Sequence, residues 1–118
     1  MMKSPNWLSK ILKEETVTST NDRLAELCQE KEIKEFTTLM AEYQTAGKGQ
    51  RGNSWESEYG KNLTFSTVFY PQTIAPASQF ILSMAVASAI RTALAHYVHA
   101  DCLQIKWPND IYWKDKKI

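Results

Sequence analysis

The chain has 118 residues, 14 Lys+Arg against 13 Asp+Glu, a formal net charge of +1, 43% hydrophobic and 23% charged residues. That is ordinary globular composition, which excludes a disordered tail or a fibrous repeat, and the length suits one small domain. The near-neutral balance carries no electrostatic footprint for nucleic acid or an anionic membrane. No apolar run is read as approaching the roughly 20 residues of a membrane span. The amino terminus, Met1-Met2-Lys3-Ser4-Pro5-Asn6, lacks the apolar stretch of a signal peptide, so a cytoplasmic protein is expected.

Glu15-Thr16-Val17-Thr18 reads as a short strand. Ser19 and Asp22 have the S-x-x-D spacing of a capping box, and Leu24, Leu27 and Cys28 give the following helix one apolar stripe that fades at Glu30-Lys31-Glu32. Thr37 to Gln44 reads as a strand by alternation. Asn62 to Tyr70 reads as a stronger one, with Leu63, Phe65 and Phe69 on one face. Pro71 and Pro76 bracket a turn, and Ala77 to Val98 is predicted as a long helix whose wide apolar surface packs on a sheet. Leu103 to Trp107 is a further strand, stopped by Pro108, with Asn109-Asp110 as a tight corner. Ile111-Tyr112-Trp113 resumes extended structure, and Lys114-Asp115-Lys116 reads as a hairpin turn. Lys117-Ile118 begins a returning strand, so a hairpin without its second arm and an unpaired edge are expected. Cys28 and Cys102 read as free thiols, and His96 and His99 as a surface pair.

Three of the four glycines lie within six residues, Gly47-Lys48-Gly49-Gln50-Arg51-Gly52. Such spacing lets backbone N–H groups approach an anion, and Lys48 and Arg51 add cationic donors. A Rossmann fingerprint would need a helix next, whereas Asn53-Ser54-Trp55 leads toward a strand. A P-loop would need Lys-Ser/Thr after Gly52. A flexible surface loop and a phosphate-binding loop are equally compatible with the pattern. Lys106-Trp107-Pro108-Asn109-Asp110 places a lysine, an amide and a carboxylate at the mouth of a strand. Such a corner suits either a Mg²⁺–phosphate pair or a plain Pro-Asn-Asp turn. At Ser19-Thr20-Asn21 a helix N-terminus either faces a carboxylate ligand or is simply capped.

Together and in order, these segments resemble biotin protein ligase, also called biotin–[acetyl-CoA-carboxylase] ligase. The matching strings are Ser19-Thr20-Asn21, Ala41 to Trp55, Asn62-Leu63, Lys106 to Asp110 and Lys116-Lys117-Ile118, from about Val17 to the last residue. The resemblance implies an α/β (α+β) fold similar to the class II aminoacyl-tRNA synthetase and biotin synthetase-like fold. A mixed, largely antiparallel sheet is packed with helices. Residues 1–118 are expected to be the N-terminal portion of that catalytic domain, incomplete at its C-terminal side, in the form without a DNA-binding domain. It also implies the reaction. Biotin and ATP with Mg²⁺ give biotinyl-5′-AMP, and a lysine of a biotin carboxyl carrier protein then takes the biotinyl group. Biotin is substrate, and no permanently bound cofactor is implied.

By position, Ser19, Thr20, Asn21, Gln44, Gly47 and Lys48 match biotin-binding residues. Gly49, Gln50, Arg51, Gly52, Trp55, Lys106 and Asn109 match the nucleotide side. Lys117, Arg51 and Asp110 match catalytic positions, with Asp110 also toward Mg²⁺. The family loop reads Gly-Arg-Gly-Arg, whereas this chain has Lys48 and Gln50, with Arg51 one place on as the candidate substitute. Expected partners are the carrier protein and no nucleic acid or membrane, with room for a homodimer. The competing readings are a lipoate or octanoate protein ligase and a non-catalytic truncated binding module.

Overall fold

A computed structural model describes residues 10–49, 52–72 and 74–118. The described residues form two compact units, one up to Tyr70 and the other from Pro71 to Ile118. The described elements mix helices with parallel and antiparallel strand pairs, as expected for an α+β arrangement.

In the first unit, β1 (Ile11–Val17), α1 (Thr20–Glu30) and β2 (Thr38–Gln44) form a strand–helix–strand crossover, and β1 pairs parallel with β2 from Ile11↔Thr38 to Val17↔Gln44. Parallel neighbours require such a crossover, and α1 supplies it. Two-residue strands β3 (Gly47–Lys48) and β4 (Ser54–Trp55) pair antiparallel, and β5 (Thr64–Thr67) pairs antiparallel with β2. β1 is longer than its predicted strand because Ile11-Leu12-Lys13-Glu14 hides its alternation behind charge. β5 is shorter than Asn62–Tyr70. Leu24, Leu27, Ile33 and Leu39 form the core, with Leu12, Cys28 and Val68 packed against it. The predicted Leu63, Phe65 and Phe69 face is exposed.

α1 begins as its sequence dictates. Ser19 is extended, and its Oγ accepts the Asp22 N–H at 2.9 Å, satisfying one of the orphan donors of the first turn. The Tyr59 hydroxyl donates to Glu15 Oε1 at 2.7 Å and its ring lies against Tyr43.

In the second unit a 3₁₀ turn (Pro76–Ser78) leads into α2 (Gln79–Leu94), which ends four residues before the predicted Val98. β6 (Leu103–Lys106), β7 (Asp110–Trp113) and β8 (Lys116–Lys117) form an antiparallel sheet. The corner between β6 and β7 contains a cis Trp107–Pro108 bond. Arg91 of α2 donates to the Leu103 and Ala100 carbonyls at 3.3 and 3.0 Å, tying the helix to this sheet's entrance.

Three expectations are corrected here. The apolar surface of α2 does not all pack on a sheet: Ala87 is its buried residue, while Phe80, Ile81, Met84, Val86 and Ile90 are exposed. The stretch Pro76–Leu94 is also long and apolar enough, at 19 residues and mean hydropathy 1.3, to match a membrane span by length and composition. Its many small residues make it read as an amphipathic helix rather than a continuous apolar one. The predicted edge is corrected too. The hairpin has its second arm, because β8 pairs Trp113↔Lys116 and Tyr112↔Lys117, and Ile118 N–H donates to Ile111 O at 2.9 Å. The turn is the two residues Lys114-Asp115, both at positive φ (48° and 66°), as a type I′ turn requires.

An L-residue in that region costs roughly 1–2 kcal/mol, partly offset by the lower entropy cost of ordering it than glycine. Asp115→Gly is therefore expected to stabilise the hairpin by about 0.5–1 kcal/mol in urea unfolding; an unchanged or lower midpoint contradicts the turn geometry. Tyr59 supplies a second test. Its bond to Glu15 is the main cause holding the phenol above its usual value, with desolvation and the charges of Glu15 and Glu42 adding to it. The folded value is raised, so this contribution is complete below the ordinary tyrosine pKa of about 10 and is lost as pH rises through the folded value. Ultraviolet titration is expected to show one fewer late-ionising tyrosine in Tyr59→Phe.

Candidate functional site

The first unit gathers most of its predicted site residues where β1 and β2 end together. The ladder continues past the strands, with Thr45 N–H donating to Val17 O at 2.9 Å and Ala46 N–H to Thr18 O at 2.7 Å. This fixes Ser19 and Thr20, both buried, beside Gln44. Thr20 N–H donates to Gln44 Oε1 at 3.2 Å, and Thr20 Oγ1 hydrogen-bonds Ser66 Oγ at 2.8 Å. The first contact fixes the Gln44 amide with its oxygen toward α1 and leaves its NH₂ beside Gly47.

Gly47 follows, and its identity is required. A Cβ there would stand 2.3 Å from Trp55 O and 2.6 Å from Gln44 Nε2. β3 runs tight against β4, and Gly49 N–H donates to Asn53 O. Part of the predicted glycine loop is thus a short hairpin arm. Lys48, exposed on that arm, reaches across to α1 and pairs with Asp22 Oδ2 at 3.0 Å. Asn21 stands exposed on the first turn of α1, Trp55 is 40% exposed, and Gly52 lies at φ +79° with open space around it. Gln50 and Arg51 lie outside the described residues.

In the second unit, the antiparallel register sorts side chains by alternation. Leu103, Ile105, Ile111 and Trp113 share one face, of which Leu103 and Ile111 are buried. Lys106, Asp110, Tyr112 and Lys117 share the other. Lys106 Nζ lies 4.0 Å above the Tyr112 ring, and Lys117 Nζ lies 3.2 Å from Asp110 Oδ1. Both are diagonal cross-strand contacts, within reach of long side chains. Asn109 Nδ2 donates to Ser83 Oγ at 2.8 Å, which ties the corner to α2.

The structure therefore joins Ser19, Thr20, Gln44, Gly47 and Lys48 in one place, and Lys106, Asp110 and Lys117 in another. Sequence reasoning missed Asp22, Ser66, Ser83 and Tyr112 as their partners. By its spacing from Ser19, Asp22 reads as a helix-capping acid alone. The Ser66 and Ser83 contacts, 46 and 26 residues apart from their partners, leave no local signal. Lys106 and Tyr112 were legible only once the β6–β7 register was fixed.

These features define a polar, cation-bearing α+β scaffold. The family model for the biotin/lipoate A/B protein ligase family matches residues 14–118, and the chain belongs to that family. It is 36% identical over 102 residues to the bifunctional ligase/repressor BirA of Escherichia coli, a match covering 86% of this chain and 30% of that protein. Against the human biotin–protein ligase it is 35% identical over 115 residues, 92% of this chain and 15% of the other. The solved biotin protein ligase of Leishmania major in complex with biotinyl-5-AMP superposes with a TM-score of 0.77 at 29% identity, covering 93% of this chain and 49% of that one. The enzyme of Aquifex aeolicus with biotin and ATP gives 0.68 at 28% identity, covering 93% and 44%. The chain thus spans about half the length of these solved relatives and under a third of these curated ones.

Gly47→Ala tests the close packing on which the first cluster rests. The new methyl must displace backbone, an overpacking cost of roughly 1–3 kcal/mol. Urea unfolding is expected to show that loss, with faster exchange of the Gly47 and Trp55 amides; an unchanged stability contradicts the contact.

Proposed function

We propose that the chain activates biotin for transfer to a protein lysine. The observation that supports this best is the first-unit cluster, where an oriented Gln44 amide, a capped α1 and Lys48 converge around a residue that admits no side chain. The solved relatives hold biotin or biotinyl-5-AMP, and the matching strings of this chain supply that cluster.

In this reading Ser19, Thr20, Asn21, Gln44, Gly47 and Lys48 bind biotin. Gly49, Gln50, Arg51, Gly52, Trp55, Lys106 and Asn109 take the nucleotide. A biotin carboxylate oxygen attacks the α-phosphorus of ATP, the bond to the β-phosphate oxygen breaks, and pyrophosphate leaves. Lys117 and Arg51 offset the charge that grows on the α-phosphate, an electrostatic contribution of the oxyanion-hole kind. Asp110 holds Lys117 by its 3.2 Å pair. A carrier-protein lysine amine, having lost a proton, then attacks the biotinyl carbonyl; the C–O bond to AMP breaks and an amide forms. Positioning two anionic substrates is the larger part of the task.

Asp110 is the carboxylate that would hold a Mg²⁺ brought with the nucleotide phosphates, where the ion would offset phosphate charge. Among the described residues there is no group of three His, Cys, Asp or Glu side chains to house a resident metal. The near-neutral charge supports a partner set without nucleic acid. The Arg91 bonds to Leu103 and Ala100 favour α2 as a helix of its own unit over a membrane span, in keeping with a cytoplasmic location.

The test is ATP-dependent pyrophosphate release with biotin, with lipoate and with neither. It is run on this chain and on the chain joined to the C-terminal half of a solved relative. Biotin-dependent release is expected in the joined form, lowered by Lys117→Ala by about 10²–10³-fold, the size of a lost oxyanion donor. Release with lipoate alone moves the substrate to the lipoate branch of the family. No release from either folded form overturns the proposal and leaves a binding module.

A further inference from the structure

Lys48 is the cation of the first cluster, and it is already engaged. Its Nζ lies 3.0 Å from Asp22 Oδ2, joining β3 to the first turn of α1 across 26 positions of sequence. Asp22 is held in place from its own side, because its N–H donates to the buried Ser19. Lys48 is placed by Gly47, which packs against Gln44 and Trp55. Both charged side chains are solvated, at 65% and 39% exposure.

We propose that Asp22 sets the charge selectivity of this cluster: an anionic ligand gains Lys48 only in exchange for the Asp22 carboxylate, whereas a neutral ligand faces no such exchange. The inference rests on the biotin-binding reading for the identity of the carboxylate, and the pair itself stands apart from it. A carboxylate brought to Lys48 leaves two negative groups competing for one ammonium, so Asp22 weakens anion binding. An exposed pair holds only weakly, about two- to fivefold in a binding constant, which keeps Lys48 exchangeable. A lysine at position 48 suits this, because a rotatable point charge changes partner more readily than a bidentate guanidinium fork.

Two measurements decide it. The first uses no ligand. Trypsin cleavage after Lys48 is followed by mass spectrometry relative to cleavage after Lys61, which pairs separately with Glu58. Asp22→Asn is expected to raise that ratio about two- to fivefold at low salt, with the difference vanishing at high salt. Asp22→Glu restores the low ratio. Glu26→Gln, which removes an equal charge from the same helix but touches Arg23, leaves it unchanged. The second measurement is equilibrium dialysis with biotin and with its neutral carboxamide. Asp22→Asn is expected to tighten biotin about two- to fivefold and leave the amide unmoved. An equal change for both ligands, or an unmoved cleavage ratio, overturns the proposal. Should neither ligand bind any variant, the biotin reading falls, and the cleavage ratio alone decides whether Asp22 holds Lys48.

Discussion

The parallel pairing of β1 with β2 is the constraint on which the first unit depends. Parallel strands need a long crossover, and here the crossover contains α1, so the start of that helix and the end of β2 must lie side by side. The ladder then runs two hydrogen bonds beyond the strands, through Thr45 and Ala46. Those bonds are made by backbone alone and place no demand on side-chain identity. Ser19, Thr20 and Gln44 are thereby fixed in position while their side chains remain available for chemistry. Leu39, fully buried near the start of β2, anchors the strand through its packing with Leu24 and Leu27.

The second unit reaches a similar result by antiparallel register. Because side chains alternate across a strand, fixing the β6–β7 and β7–β8 pairings assigns Lys106, Asp110, Tyr112 and Lys117 to one face and the apolar residues to the other. The one-residue difference between the expected Lys114–Lys116 turn and the observed two-residue Lys114-Asp115 turn matters here. Moving β8 by one position would send Lys117 to the opposite face and away from Asp110. The strained backbone of Lys114 and Asp115 is thus what puts a cation beside a carboxylate.

What was legible in the sequence was local. The Ser19 cap, the alternation of β2 and the Pro108 stop all depend on residues within a few positions of one another. The glycine cluster reads locally as anion approach or loop freedom, whereas the requirement at Gly47 comes from the carbonyl of Trp55, a neighbour in space. Illegible features were of two kinds. Charged residues inside a strand, such as Lys13-Glu14 of β1, conceal a pairing that backbone hydrogen bonds specify. Contacts such as Thr20–Ser66 and Asn109–Ser83 join residues whose types carry no preference for one another. The apolarity of Pro76–Leu94 escapes the sequence reading for a third reason: alanine and serine lower the apparent apolarity of a helix without giving it a charged face.

Each unit presents a lysine paired with one aspartate in partly exposed surroundings, Lys48 with Asp22 and Lys117 with Asp110. The energetics favour this placement for a cation that must receive an anion. A fully buried pair would carry a desolvation cost of several kcal/mol per ion, and removing its partner would leave an uncompensated charge. A lysine with no counter-ion would instead drift among solvated rotamers and lose entropy on binding. A half-exposed pair lies between these limits. It confines the ammonium to one region, contributes about 1 kcal/mol or less to stability, and yields when a carboxylate or phosphate offers an equivalent contact. The two aspartates differ in setting, since Asp22 sits on a helix turn and Asp110 on a strand. A strand side chain is held by its sheet neighbours, so Asp110 confines Lys117 within a fixed register. Asp22 instead reaches across from one element to another, and its hold on Lys48 depends on both α1 and β3 keeping their places.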